Sequence, residues 1–215
     1  MISYYNYSYH IITPPATLPV DLNLFKTHLK LTCENLENDN YLNFLLQSAT
    51  NFAEKYTRRT FINTGFRTYR NYFEECFEIR RSKLQSVTSI KYYKNSSLIE
   101  ANSDLYYFTD SNDYSRILLK HNQKWPTEID IRSQAIQIDF IAGYGETLKD
   151  FPEWLRDIEL AIMLHATALY ENRGDCDVAS VLHNLPNAAK EIYDLIKIQT
   201  INGLSSCHQD YYGYL

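Results

Sequence analysis

Residues 39–58 read DNYLNFLLQSATNFAEKYTR, and their apolar positions decide how the chain is organised. Leu42, Leu45, Leu46, Ala49, Phe52, Ala53 and Tyr56 are separated by steps of 3, 1, 3, 3, 1 and 3. An α-helix turns about 100° per residue, so these seven side chains share one stripe. The spacing predicts a helix over about 39–58 with that stripe in a core. The same stripe is able to dock a partner, but an intramolecular core is the favoured reading.

On the N-terminal side, Asp21 is a good cap for a helix from about 21 to 31, with Leu22, Phe25 and Leu29 on one face. Before it, Pro14, Pro15 and Pro19 interrupt regular structure, and Met1 to Thr13 has no helical period. That segment reads as an arm, extended or disordered until something holds it.

On the C-terminal side the pattern changes to strands. Candidates are 66–73, 87–93, 98–99, 105–109, 116–119 and 135–141, separated by turns such as 94–97 and polar clusters such as 110–113. Short strands in that number suggest an antiparallel unit. Gly143-Tyr144-Gly145 then lets the chain turn toward a third helix that Pro152 opens. Leu155, Ile158, Ile162, His165 and Leu169 form its stripe, and Gly174 is its stop. After a loop to Leu185, Pro186 opens a last helix reaching about Gly203, with Ala189, Ile192, Leu195 and Ile196 inward. Helices, a β block and helices follow in order. The expected fold class is therefore α+β, a small bundle of about four helices with an inserted antiparallel β unit.

Composition narrows the functions. The chain has 215 residues, is 45% hydrophobic and 22% charged, and carries a net charge of −5. Global disorder is excluded by that balance. A binder of duplex DNA works through phosphate neutralisation and is ordinarily basic, so it is not the first expectation. No apolar run is long enough to span a bilayer, and no membrane partner is expected. Cys33, Cys76, Cys176 and Cys207 are widely spaced, which argues for free thiols in a reducing compartment. Cys176, His183, Cys207 and His208 lack the paired spacing of a zinc site, so no metal is expected.

Catalytic signatures are missing as well. There is no Gly-x-Ser-x-Gly elbow, no His-Glu-x-x-His and no phosphate-cradling loop. His165 has no carboxylate three or four residues away on its helix and reads as a half-buried structural histidine. Neither an enzyme nor a cofactor site is indicated. What is unusual is tyrosine, with 19 residues. Its ring is apolar and its hydroxyl polar, which suits surfaces that become interfaces.

Five segments in order go further: 18–31 (LPVDLNLFKTHLKL), Asp39 through Arg59, 84–93 (LQSVTSIKYY), 138–145 (IDFIAGYG), and Pro152 through Arg173 ending in Tyr-Glu-Asn-Arg. Together they resemble the head–tail connector proteins (adaptor, or head-completion) of tailed bacteriophages and related gene-transfer particles. The resemblance is to the branch in which a β block interrupts the helical core, and it spans about residues 18–173. It implies an N-terminal arm over 1–17, a connector domain over 18–203 and a C-terminal tail over 204–215. Within the domain, 18–60 and 150–203 would form the helical core and 64–145 the β insertion.

The resemblance also implies a role. Such proteins form a ring, usually twelve-fold, beneath the portal protein, extend the DNA channel and dock the stopper or tail-completion protein. Genomic DNA would pass without sequence-specific binding. The protein would reside in the virion at the head–tail junction, and in the host cytoplasm during assembly. Twelve copies at −5 each carry on the order of −60 charges, a wall along which DNA slides without sticking. Arg58, Arg59, Glu171 and Arg173 lie at the ends of the two long helices, placed for charge pairs between or within subunits, or simply solvated. Ile192, Ile196, Tyr211, Tyr212 and Tyr214 are the candidates for portal contact. Tyr4, Tyr5, Tyr7 and Tyr9 add a second aromatic terminus. The alternative is a single-stranded nucleic-acid-binding module that stacks bases on exposed tyrosines.

Overall fold

The computed structural model describes residues 8–31, 39–81, 83–110, 115–172 and 185–198. The chain divides into two units. One holds residues 1–14, 64–143 and 199–215; the other holds 15–63 and 144–198.

The second unit is helical. Helix α1 (Leu22–His28) starts at Asp21, whose Oδ1 accepts from the backbone N–H groups of Asn23 and Leu24 at 2.8 and 3.2 Å. Two orphan donors of the first turn are thereby satisfied. It ends sooner than expected, because Lys30 takes a left-handed φ of 55°. Helix α2 (Asp39–Thr57) buries Leu42, Leu45, Leu46, Ala49 and Ala53 from the stripe above, with Phe52 and Tyr56 packed at the margin.

The third helix begins later than Pro152 suggested. Glu153–Leu155 is a single 3-10 turn, and helix α3 runs Ile158–Glu171. The N–H groups of Leu155, Arg156 and Glu159 reach back three residues, and only Ala161 reaches back four, to Asp157. Proline fixes its own φ but does not decide which helix type follows. Helix α4 (Asn187–Ile196) buries Ala189, Tyr193 and Ile196. Its inner face is rotated from the expected one: Tyr193 is fully buried, whereas Leu195 is 86% exposed. Steps of four and three from Ala189 reach Tyr193 and Ile196, and Leu195 lies off that line. The expected extension past 198 lies outside the described residues.

The first unit is two antiparallel sheets. Strands β1 (Tyr9–Thr13), β2 (Thr64–Arg70), β4 (Leu84–Lys94), β5 (Ser97–Glu100) and β8 (Ile136–Ala142) pair in the order β1-β2-β8-β4-β5. Strands β3 (Cys76–Ile79), β6 (Tyr106–Asp110) and β7 (Ser115–Leu119) pair in the order β3-β7-β6. One apolar core serves both, with Phe66, Ile90, Ile138 and Phe140 from the larger sheet and Phe77, Ile79 and Ile117 from the smaller. β8 lies in the middle and is buried at nearly every position, so its run IQIDFIA does not alternate. Its one carboxylate, Asp139, is 5% exposed and takes both Nε and a terminal nitrogen of Arg67 at 2.7 and 2.9 Å.

Two strands escaped the sequence reading. β3 is only four residues long and carries Glu78 in its interior. β1 belongs to the segment read as an arm; it is extended and lies along β2, with Tyr9 opposite Thr68. Cys76, 7% exposed, is disulfide-bonded, which corrects the expectation of four free thiols; its partner lies outside the described residues. Sequence spacing does not report which cysteines meet in space.

Candidate assembly surfaces

The end of α2 is the most constrained polar locus of the helical unit. Arg58 has a left-handed φ of 62°, and Arg59 after it is turned into the interior, 5% exposed. Arg59 Nε donates to the carbonyl oxygen of Ile196 at 2.5 Å, and a terminal nitrogen donates to the Tyr144 hydroxyl at 2.6 Å. The guanidinium also lies 5.0 Å from the centre of the Trp154 ring. A planar group with several fixed donors can serve three elements at once, which a lysine cannot.

Helix α4 is held by further contacts along the same edge. Tyr56 donates its hydroxyl to Asp194 at 2.6 Å, and Lys190 pairs with the other oxygen of that carboxylate at 2.6 Å. Lys197 sits 4.3 Å from the centre of the Tyr56 ring, and the Ile198 N–H donates to Thr57 O at 3.0 Å. The hydrogen bonds from Lys190 and Tyr56 hold the Asp194 carboxyl below its ordinary pKa.

Beneath this edge lies His165, 5% exposed and more deeply buried than its sequence suggested. Phe52 meets it edge-on at 4.8 Å and Tyr193 at 6.3 Å. Burial lowers its pKa from 6.5 to about 4, so the ring is neutral at physiological pH. Its Nδ1 and the buried Tyr193 hydroxyl have no hydrogen-bond partner among the described residues. Burial pushes the Tyr193 phenol upward. A neutral histidine among aromatic rings with no carboxylate to orient it is a packing group rather than a base.

The glycine pair after β8 fixes the return to the helices. A Cβ on Gly145 would lie 2.2 Å from Asp150 Cβ, and Gly145 has a φ of +156°. The Asp150 carboxylate accepts from Thr147 N and Oγ1 at 2.9 and 3.1 Å, which keeps its pKa low.

The sequence-derived interface residues separate into different environments. Arg58 and Glu171 are exposed at the ends of α2 and α3, whereas Arg59 is an interior group of its own subunit. Ile196 is 5% exposed in the helical core and Ile192 is packed against that core, so neither offers a free face for the portal. The outward apolar group of α4 is Leu195, which the expected helix phase had placed inside. Arg173, Tyr211, Tyr212 and Tyr214 lie outside the described residues, as do Cys176, His183, Cys207 and His208. Among the described residues there is no group of three metal-ligating side chains. No described helix is long and apolar enough to cross a membrane.

Most described tyrosines are not stacking platforms. Only Tyr72 and Tyr107 are exposed, at 53% and 44%. Tyr9 shows how the others are used: its ring packs edge-on to Phe140 at 6.0 Å, and its oxygen accepts from Arg80 N at 3.0 Å.

Four helices with two antiparallel sheets inserted between the second and third define a fold seen in the necks of gene transfer agent particles. In particular, the chain is similar to one in the neck of an empty gene transfer agent particle computed with C6 symmetry. The TM-score there is 0.73 at 19% identity, over 92% of this chain and 98% of that one. A chain in the virion of the native gene transfer agent particle matches with a TM-score of 0.70 and 20% identity, over 91% and 98%. A chain in the native neck computed with C12 symmetry gives 0.69 and 19%, over 92% and 98%. At such identities the shared property is the fold. No protein-family model and no curated protein matches the sequence.

Proposed function

We propose that this chain is a structural head–tail connector of a phage-like particle, an adaptor that forms a ring beneath the portal. The observation that carries the reading is the near end-to-end likeness, 92% of this chain and 98% of the other, to a chain of a particle neck. The C12 symmetry of one such neck supports a twelve-fold ring in the virion. In this role the ring extends the DNA channel and presents a platform for the stopper or tail-completion protein. The work is positional, not catalytic: subunits repeat heterologous contacts that close by rotation.

Buried tyrosines count against the nucleic-acid-binding alternative, which needs several exposed rings along a basic groove. With Ile196 inside the core, the tail over 204–215 is left as the portal-contact segment, and Arg58, Glu171 and Arg173 as subunit-contact candidates. Negative-stain microscopy of the purified protein with its portal tests the assignment. A twelve-fold ring stacked on the portal is expected, and a monomer that ignores the portal overturns it.

A further inference from the structure

The connection between β7 and β8, residues 120–135, has sixteen residues without a strand or helix, yet it is pinned in place. Trp125 donates Nε1 to Glu74 O at 2.9 Å and stacks on Phe73 with ring centres 4.8 Å apart. The Asp130 N–H donates to Tyr93 O at 2.9 Å, and its carboxylate accepts from Asn95 N and Ser96 N at 2.8 and 2.7 Å. An ordered loop of this length in a small unit is more than a link.

What the loop displays is positive charge around an apolar point. Lys120, His121 and Lys124 are exposed and have no acidic partner among the described residues. Arg132 is exposed as well and lies over the Tyr93 ring at 3.9 Å. Ile131, fully exposed at 106%, and Tyr72, at 53%, line the same shallow groove. An exposed isoleucine gains nothing from a phosphate backbone, so the patch fits a protein surface that is acidic and partly apolar.

The chain carries such a surface itself. Residues 64–143 hold 11 Lys and Arg against 10 Asp and Glu, and residues 15–63 hold five of each. Residues 144–198 hold five Lys and Arg against ten Asp and Glu, an excess equal to the net charge of −5. On the segment entering α3, Glu153 and Asp157 are exposed, and neither they nor Glu159 has a basic partner among the described residues. Burial and the nearby Asp21 raise the Glu159 carboxyl, as expected where negative charge is uncompensated. Trp154 and Leu160 stand among these acids, 44% and 46% exposed.

We infer that the 120–135 loop of one copy docks on the 153–160 segment of the next, building on the ring reading above. Lys120, His121 and Lys124 face Glu153, Asp157 and Glu159, and Ile131 meets Leu160 and Trp154. Two different patches on one chain make a heterologous contact, the kind that propagates around a ring. The charges set orientation and encounter rate, and the apolar centre supplies the affinity.

Charge reversal and charge swap test the contact. Mass photometry of the full chain, alone and on its portal, should show K120E/K124E needing at least about tenfold more protein to assemble. Adding E153K/D157K to the same chain should restore assembly, with circular dichroism and melting temperature unchanged throughout. I131S should weaken assembly without changing its salt dependence. If a charge variant fails to fold, a photo-cross-linker at position 131 in mixed 14N and 15N protein decides; isotopically mixed cross-links to residues 153–160 are expected. Rings that assemble normally in K120E/K124E and I131S, or a swap that restores nothing, overturn the contact and leave the connector reading standing. Variants that lose retention of DNA yet assemble normally overturn it in favour of a nucleic-acid surface. A wild-type chain that forms no ring on its portal overturns the connector reading, and this contact with it.

Discussion

The guanidinium of Arg59 closes the end of α4, donating to the carbonyl oxygen of Ile196 across a gap of 137 positions in the sequence. The same group reaches the Tyr144 hydroxyl, so one side chain ties the ends of α2 and α4 to the turn that follows β8. Hydrogen bonds to a charged donor contribute about 1.5–3 kcal/mol each. Arg59→Leu should therefore cost about 3 kcal/mol or more in denaturant unfolding. Arg59→Lys should recover less than half of that, because an ammonium lacks the fork. Hydrogen exchange should quicken first over residues 187–198; uniform acceleration throughout the helical unit would contradict the local role.

His165 makes stability depend on pH in a defined window. Its folded pKa of about 4 lies below the ordinary value of 6.5, so the unfolded chain takes up the proton first as pH falls. The contribution is complete above about pH 6.5 and is lost progressively down to about pH 4, at most about 3 kcal/mol. The lowered carboxyls of Asp150 and Asp194 lose their contribution below the ordinary aspartate value of 3.8, outside that window. His165→Leu should flatten the stability profile between pH 4 and 6.5. An unchanged slope would show that another group titrates there.

Gly145→Ala should be among the most damaging single-methyl changes, costing about 2–4 kcal/mol, because the new Cβ meets Asp150 Cβ at 2.2 Å in a backbone conformation that L-residues avoid. Thermal melts of G145A beside D150G separate the two causes. The double variant should regain the part due to the clash and retain the part due to φ.

Arg67→Leu leaves the buried Asp139 carboxylate with only the Gln137 side-chain amide, at 3.1 Å. Breaking a buried pair from one side costs about 3–5 kcal/mol, and the partial exposure of Arg67 favours the lower end here. Replacing both, as R67L/D139L, should recover much of the loss. A double variant no better than R67L would indicate that the strand pairing itself depends on the charges.

Deleting residues 204–215 should abolish head–tail joining and leave the described fold unchanged, read by particle assembly and by circular dichroism. Normal particles from that truncation would sink the assignment of the tail to the portal.

Sequence by itself determined the elements whose signal is local. The seven-residue stripe of α2, the Asp21 cap and most strands of the β block were legible because helical period and capping act within a few residues. It did not determine where partners come from. The run Tyr9–Thr13 has no period, and it becomes a strand only because β2 offers an edge for its backbone. Arg59 looked like an exposed helix end, and a left-handed Arg58 turned it inward toward an acceptor 137 positions away. Leu195 and Tyr193 exchanged expected places because one residue of helix phase decides which side meets α2 and α3. Such outcomes depend on groups brought together from distant parts of the chain, and only the tertiary structure supplies those neighbours.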